Sequence, residues 1–218
     1  MELRKLLMDK VRKWVRYVVR SYSPSLEPPK VVVTFDVTSK RRFWDKKVMM
    51  LNIPAFYDKN NDTIYISLAT PSDAINFCEV LFHEVAHFLD AHTYGKETYD
   101  ELVAWDFAKG TWRFEKRCDE FAEDVCNRSM VGGRGMAGLE LNALALAVAI
   151  EDFLKKLREW SRKYSKEALE EDVEELREYL EKLKGIYERA RGIPTIEKEV
   201  GRVIKEAEDF IKGFGSLH

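Results

Sequence analysis

The 218 residues contain no glutamine, only three cysteines and almost no net charge, and no apolar run is long. Without glutamine, and with 36 Lys and Arg beside 38 Asp and Glu, the composition resembles that of proteins that resist heat by avoiding labile amides and networking charges. A thermophilic source is the expectation. Cys78, Cys118 and Cys126 are odd in number and lack the spacing of a disulfide framework, so we expect reduced core residues in a cytoplasmic protein. A net charge of −2 excludes an overall electrostatic bias toward nucleic acid or anionic membrane. The longest apolar run, Leu139 to Ile150, is interrupted by Glu140 and Asn142 and is too short to cross a bilayer. The opening stretch carries charges throughout, unlike a secretory signal, so no membrane partner and no nucleic acid are expected.

What is present suits a soluble, folded chain with one core and an appendage: 45% hydrophobic, 34% charged and 12% aromatic residues. Leu3, Leu7, Val11, Trp14 and Val18 recur at helical spacing, predicting an amphipathic helix over 1–23 with a solvated basic face. SYSPSLEPP ends it. Three strand-like segments follow, Val31 to Val37, Val48 to Tyr57 and Thr63 to Leu68, the last two joined by the turn-forming DKNND. They predict a small, mostly antiparallel sheet, with Ile64 to Leu68 as a candidate rim strand for an extended peptide.

Pro71, Ser72 and Asp73 announce a helix that Ile75, Cys78, Leu81, Phe82, Val85 and Leu89 carry to about Ala91. Further helices are expected from Tyr99 to Lys109 and from Trp112 to Met130. VGGRGMAG then closes a unit spanning 30–132. Within 137–218, an apolar helix from Leu139 to about Tyr164 precedes Leu169, Val173, Leu176, Leu180, Leu183, Tyr187 and Ala190, stepping by fours and threes. This predicts an antiparallel helical hairpin, its stripe buried within the chain by default and available for self-association otherwise. A last helix follows Thr195, to about Lys212.

The helix from Pro71 contains VLFHEVAHFLD. His83 and His87, four apart, project from one helical face and can share a tetrahedral cation. Zinc suits imidazole and carboxylate donors, and a catalytic zinc takes three protein ligands. Glu84, beside the first histidine, reaches the attacking water as general base and later delivers the proton to the leaving amine. Two histidines and a glutamate amid Val80, Leu81, Phe82, Val85, Phe88 and Leu89 are expensive unless something binds them. His92 lies five residues after His87 without a turn glycine and, with Asp90, is set aside as a ligand. Either could orient a ligand instead.

For the third ligand the carboxylates downstream compete, and Glu115 leads. In FEKRCDEFAEDVC it is followed by small Cys118 three residues on and by Asp119 four on. Here the sequence resembles the gluzincins, whose second motif is a glutamate on a separate helix followed by a small residue and then Asp, Asn or Glu. Asp119, one turn along, could accept the free ring N–H of a liganding histidine. Phe121 and Ala122 extend the resemblance to the ImmA/IrrE-like metallopeptidases, and the order of elements is similar to that of the minigluzincins. The resemblance covers about 30–130. Cys118 stands where Ala or Ser is usual and Asp119 where the ImmA/IrrE pattern has Asn. Glu101 in YDELVAW and Asp119 itself are rival ligands.

The resemblance implies an α+β zincin-like domain, its sheet packed on the active-site and glutamate helices. It also implies a Zn2+-dependent peptidase acting on a protein or peptide. Tyr94, Tyr99, Arg113 and His92 are candidate donors to the transition state. A zinc-containing regulatory or protein-binding module with little turnover is the alternative function.

Overall fold

The computed structural model describes residues 2–35, 55–68, 71–127 and 137–215, and shows an α+β chain dominated by helices. Helix α1 (Glu2–Tyr22) precedes strands β1 (Lys30–Thr34), β2 (Ala55–Asp58) and β3 (Thr63–Ser67). The short α2 (Pro71–Ala74), then α3 (Phe77–Tyr94), α4 (Lys96–Ala108) and α5 (Arg113–Asn127), come next. Helices α6 (Ala137–Trp160), α7 (Glu170–Arg189) and α8 (Pro194–Gly215) finish the chain. Val48 to Pro54 and most of VGGRGMAG lie outside the described residues.

The sheet is mixed, in the order β1-β3-β2. β2 pairs antiparallel with β3 through the expected turn, whereas β1 pairs parallel with β3, Val32 opposite Tyr65. The antiparallel expectation is therefore corrected for one of the two pairings. Alternation of apolar residues marks a strand but carries no direction. The rim-strand expectation is corrected too: β3 has a neighbour on each side and cannot accept a further strand.

Asn76, whose backbone leaves the helical range, breaks the predicted single helix from Pro71 into α2 and α3. The orphan N–H of Cys78 in the first turn of α3 is taken up by Asn142 Oδ1 at 2.7 Å. That acceptor comes from α6, which explains one polar interruption of its apolar run. The other, Glu140, is buried but receives Trp14 Nε1–H and Lys10 Nζ, each at 2.9 Å, from α1.

Ala143 to Ile150 are buried all round the α6 helix, as an apolar helix without a polar face must be. It touches α1, α2, α3, α5, α7 and α8, so one continuous core reaches from Leu3 to Ala207. Leu176, Leu180 and Leu183 of the α7 stripe belong to that core, while Val173 packs in a smaller cluster with Leu169 and Phe214. Gly138 lets α6 start against the end of α5: a Cβ there would lie 2.9 Å from the carbonyl oxygen of Cys126.

The cysteine expectation is overturned. Cys78 in the first turn of α3 and Cys126 in the last turn of α5 form a disulfide, leaving Cys118 as a buried thiol. Their separation of 48 residues resembles no framework spacing. It is the antiparallel packing of α3 on α5 that brings them together.

Candidate metal centre

Helix α3 buries Phe77, Leu81, Phe82, Val85 and Phe88 and packs on β2 and β3. At roughly 1.5–3 kcal/mol per large apolar side chain, that burial holds its orientation firmly. His83 and His87 are left on the side that meets α5. Because α3 and α5 run antiparallel, contacts climb as a ladder: Cys78 to Cys126, His83 to Asp119, then His87 to Glu115 and Cys118.

The start of α5 is fixed from α4. Asp106, only 3% exposed, accepts the N–H of Phe114 at 3.1 Å through Oδ2 and the Thr111 hydroxyl through Oδ1. Burial opposes its charge, but the Thr111 hydroxyl and the N–H groups of Phe114 and Arg113 outweigh that and hold its carboxyl below the usual range. Glu115, in the first turn, is placed where a helix dipole favours an anion.

Three side chains converge. His83 Nε2 lies 3.0 Å from His87 Nε2 and 3.2 Å from Glu115 Oε2, and His87 Nε2 lies 3.7 Å from Glu115 Oε1. Tetrahedral ligands about 2.0–2.2 Å from zinc stand about 3.3–3.5 Å apart, a spacing these separations straddle. The outer ring nitrogens are occupied. His83 Nδ1–H donates to Asp119 Oδ1 at 2.8 Å, and His87 Nδ1 hydrogen-bonds to the Tyr99 hydroxyl. The carboxylate, which only accepts, keeps a proton on His83 Nδ1, and the Tyr99 hydroxyl holds the orientation of the His87 ring.

Electrostatics suit a cation. Burial works against protonation of His83, but Glu115, Glu84 and Asp119 outweigh it and push its pKa up to about 9. Hydrogen bonds from His83 and His87 hold the Glu115 carboxyl well below the carboxylate range. The anionic cluster thus draws positive charge between the rings, which a proton satisfies in the chain by itself and a divalent cation satisfies more fully.

Cys118 is a second possible donor, close enough to His83 and His87 to make a three-ligand set. Its Sγ lies 3.5 Å from His87 Nδ1, the nitrogen facing away from the Nε2 pair. Burial also pushes its thiol up, disfavouring the thiolate that binds metal. Glu115, by contrast, meets both Nε2 atoms.

The rival Glu101 lies exposed on α4 and, among the described residues, pairs with neither histidine. Asp119 meets the outer nitrogen of His83 rather than the centre. Asp90 pairs with Arg117, which also donates to Tyr94 Oη at 3.1 Å, and His92 Nδ1 bonds the Phe88 carbonyl at 2.9 Å. Tyr99, a candidate donor to the transition state by sequence, is buried and turned to His87.

Glu84 is 8% exposed and lines a cleft of about 610 Å³ with His83, Asp119, Ala122 and Ala55. Burial pushes its carboxyl up, while His87, His83 and the backbone of Tyr57 favour its charged form. Its carboxyl is thus a buried titratable group beside a cleft. Ala55 makes β2, rather than β3, the strand beside that cleft.

Compared with known protein families, curated proteins and solved structures, the chain matches none. Its function is accordingly read from the site itself.

Proposed function

We propose that the chain is a zinc-dependent peptidase of gluzincin type. His83 Nε2, His87 Nε2 and the Glu115 carboxylate hold the metal, and Glu84 serves as general base and acid. The observation that carries this reading is the approach of His83 Nε2 to His87 Nε2 at 3.0 Å, with the two Glu115 oxygens at 3.2 Å from the first and 3.7 Å from the second, beside a buried glutamate that opens on a cleft.

When bound, zinc supplies Lewis-acid polarisation of the peptide carbonyl and acidity for the attacking water. The remaining work falls to the chain. Asp119 keeps the His83 proton on Nδ1, and Tyr99 holds the orientation of the His87 ring. Glu84 removes a proton as the water oxygen bonds to the carbonyl carbon. It returns that proton to the amide nitrogen as the C–N bond breaks. Ala55 and Ala122 are small enough to admit a backbone into the cleft. The setting we propose is the cytoplasm of a thermophile, where structural disulfides persist.

The test is metal content and peptide-library cleavage for the wild type, Glu84→Gln, Glu115→Ala and Cys118→Ala. The reading expects one zinc per chain, zinc retained but cleavage reduced at least about a hundredfold in Glu84→Gln, and zinc lost in Glu115→Ala alone. Equal cleavage by wild type and Glu84→Gln would remove the proposed role of Glu84. Zinc without any cleavage would leave a metal-binding regulatory module.

A further inference from the structure

Where α4 turns into α5, three large aromatic side chains face solvent: Trp105 is 56% exposed, Phe107 63% and Trp112 51%. Scattered exposed apolar residues are ordinary, but three at one short turn, two of them in contact, make an apolar tip. The turn is rigid because its backbone is tied throughout. Lys109 N–H donates to the Trp105 carbonyl at 3.0 Å, Gly110 N–H to Phe107 at 2.9 Å and Thr111 N–H to Asp106 at 3.2 Å. Buried Asp106 fastens the turn from inside.

Trp112 is held at a φ of 53°, in the left-handed region that a bulky side chain enters only at a cost. Glycine supplies that conformation freely at position 110. At position 112 the cost is borne by a residue whose ring is half in solvent, stacked edge-on to Phe107 at 4.8 Å. No core packing explains such a choice.

The distribution of the aromatics indicates what covers them. Residues two apart on a helix point about 160° from one another, so Trp105 and Phe107 leave opposite flanks of α4 with Asp106 turned inward between them. A protein partner seats on one face. Apolar groups on both flanks of a tip call for a surrounding apolar medium. Residues 107–114 contain the exposed cations Lys109 and Arg113 and no acidic residue. Aromatic rings with flanking cations are the chemistry of the lipid–water interface of an anionic bilayer.

We propose that this tip docks the chain on an anionic membrane surface. Trp105, Phe107 and Trp112 enter the headgroup layer, and Lys109 and Arg113 meet lipid phosphates. The contact is peripheral: among the described residues no helix is long and apolar enough to cross a membrane. The proposal does not depend on the peptidase reading.

The full chain is tested by cosedimentation with phosphatidylcholine vesicles, with and without phosphatidylglycerol, and by tryptophan quenching with brominated acyl chains. Trp112→Gly is the most informative variant, because glycine keeps the turn and relieves the backbone while removing the ring. The expected result is salt-sensitive binding to the anionic vesicles with quenching, weakened about tenfold or more by Trp112→Gly and by Phe107→Ser, with thermal melting showing both variants folded. Absence of binding to anionic vesicles overturns the proposal, as does binding that both variants leave unchanged. Loss of binding only on replacing Arg12 and Arg16 would assign docking to the cationic face of α1. Tip-dependent self-association without lipid binding would make the patch a protein contact.

Discussion

Each histidine's outer nitrogen decides what its inner nitrogen can do. The Asp119 carboxylate can only accept, so a proton stays on His83 Nδ1 and a cation that binds the ring does so at Nε2, in place of the proton there. Asp119→Asn keeps the shape but removes the charge, and we expect a 10–100-fold loss of zinc affinity, read by competition with a fluorescent chelator. Tyr99→Phe should weaken binding less, since a neutral hydroxyl gives a weaker bond than a carboxylate. At this scale much was legible: His83, Glu84 and His87 form a contiguous motif, and Glu115 and Asp119 lie one turn apart. The contact of Tyr99 with His87 was not. Twelve residues and a glycine turn separate it from His87, and only the angle between α3 and α4 aims its hydroxyl.

Among the elements, the pairing of α3 with α5 makes the site, and two devices hold it. The Cys78–Cys126 disulfide closes a loop of 48 residues, worth about 4 kcal/mol by chain entropy. Reduction, or Cys78→Ser with Cys126→Ser, should lower the melting temperature by roughly 10 °C in calorimetry. An unchanged melting temperature would mean that helix packing alone sets the register. Asp106 is the second device. Its folded pKa is depressed, so its stabilisation is full above the unfolded value near about 4 and is lost as pH falls through the folded pKa. Asp106→Asn should be less stable than wild type at pH 7, and the difference should shrink in urea melts taken below about pH 4. Helix periodicity was visible along the chain, whereas the parallel pairing of β1 and the disulfide were not, because both depend on how distant segments meet.

For the whole molecule, α6 is the hub. Its apolar run reads in sequence as half of a hairpin, but it also packs on α1, α3 and α5 and supplies the acceptor for the start of α3. Periodicity shows that a face is buried and cannot show against what. Gly138→Ala should therefore cost roughly 1–3 kcal/mol of stability through its clash with Cys126, measured by chemical denaturation. The same hub ties the C-terminal helices to the site, so truncation after Asn127 is expected to lose the folded metal centre and not merely an appendage. Zinc K-edge absorption of the loaded chain tests the central claim most directly. The predicted first shell is nitrogen and oxygen at about 2.0–2.2 Å from two imidazoles and a carboxylate. A sulfur scatterer at about 2.3 Å would put Cys118 in place of Glu115, and failure to retain stoichiometric zinc would contradict the account altogether.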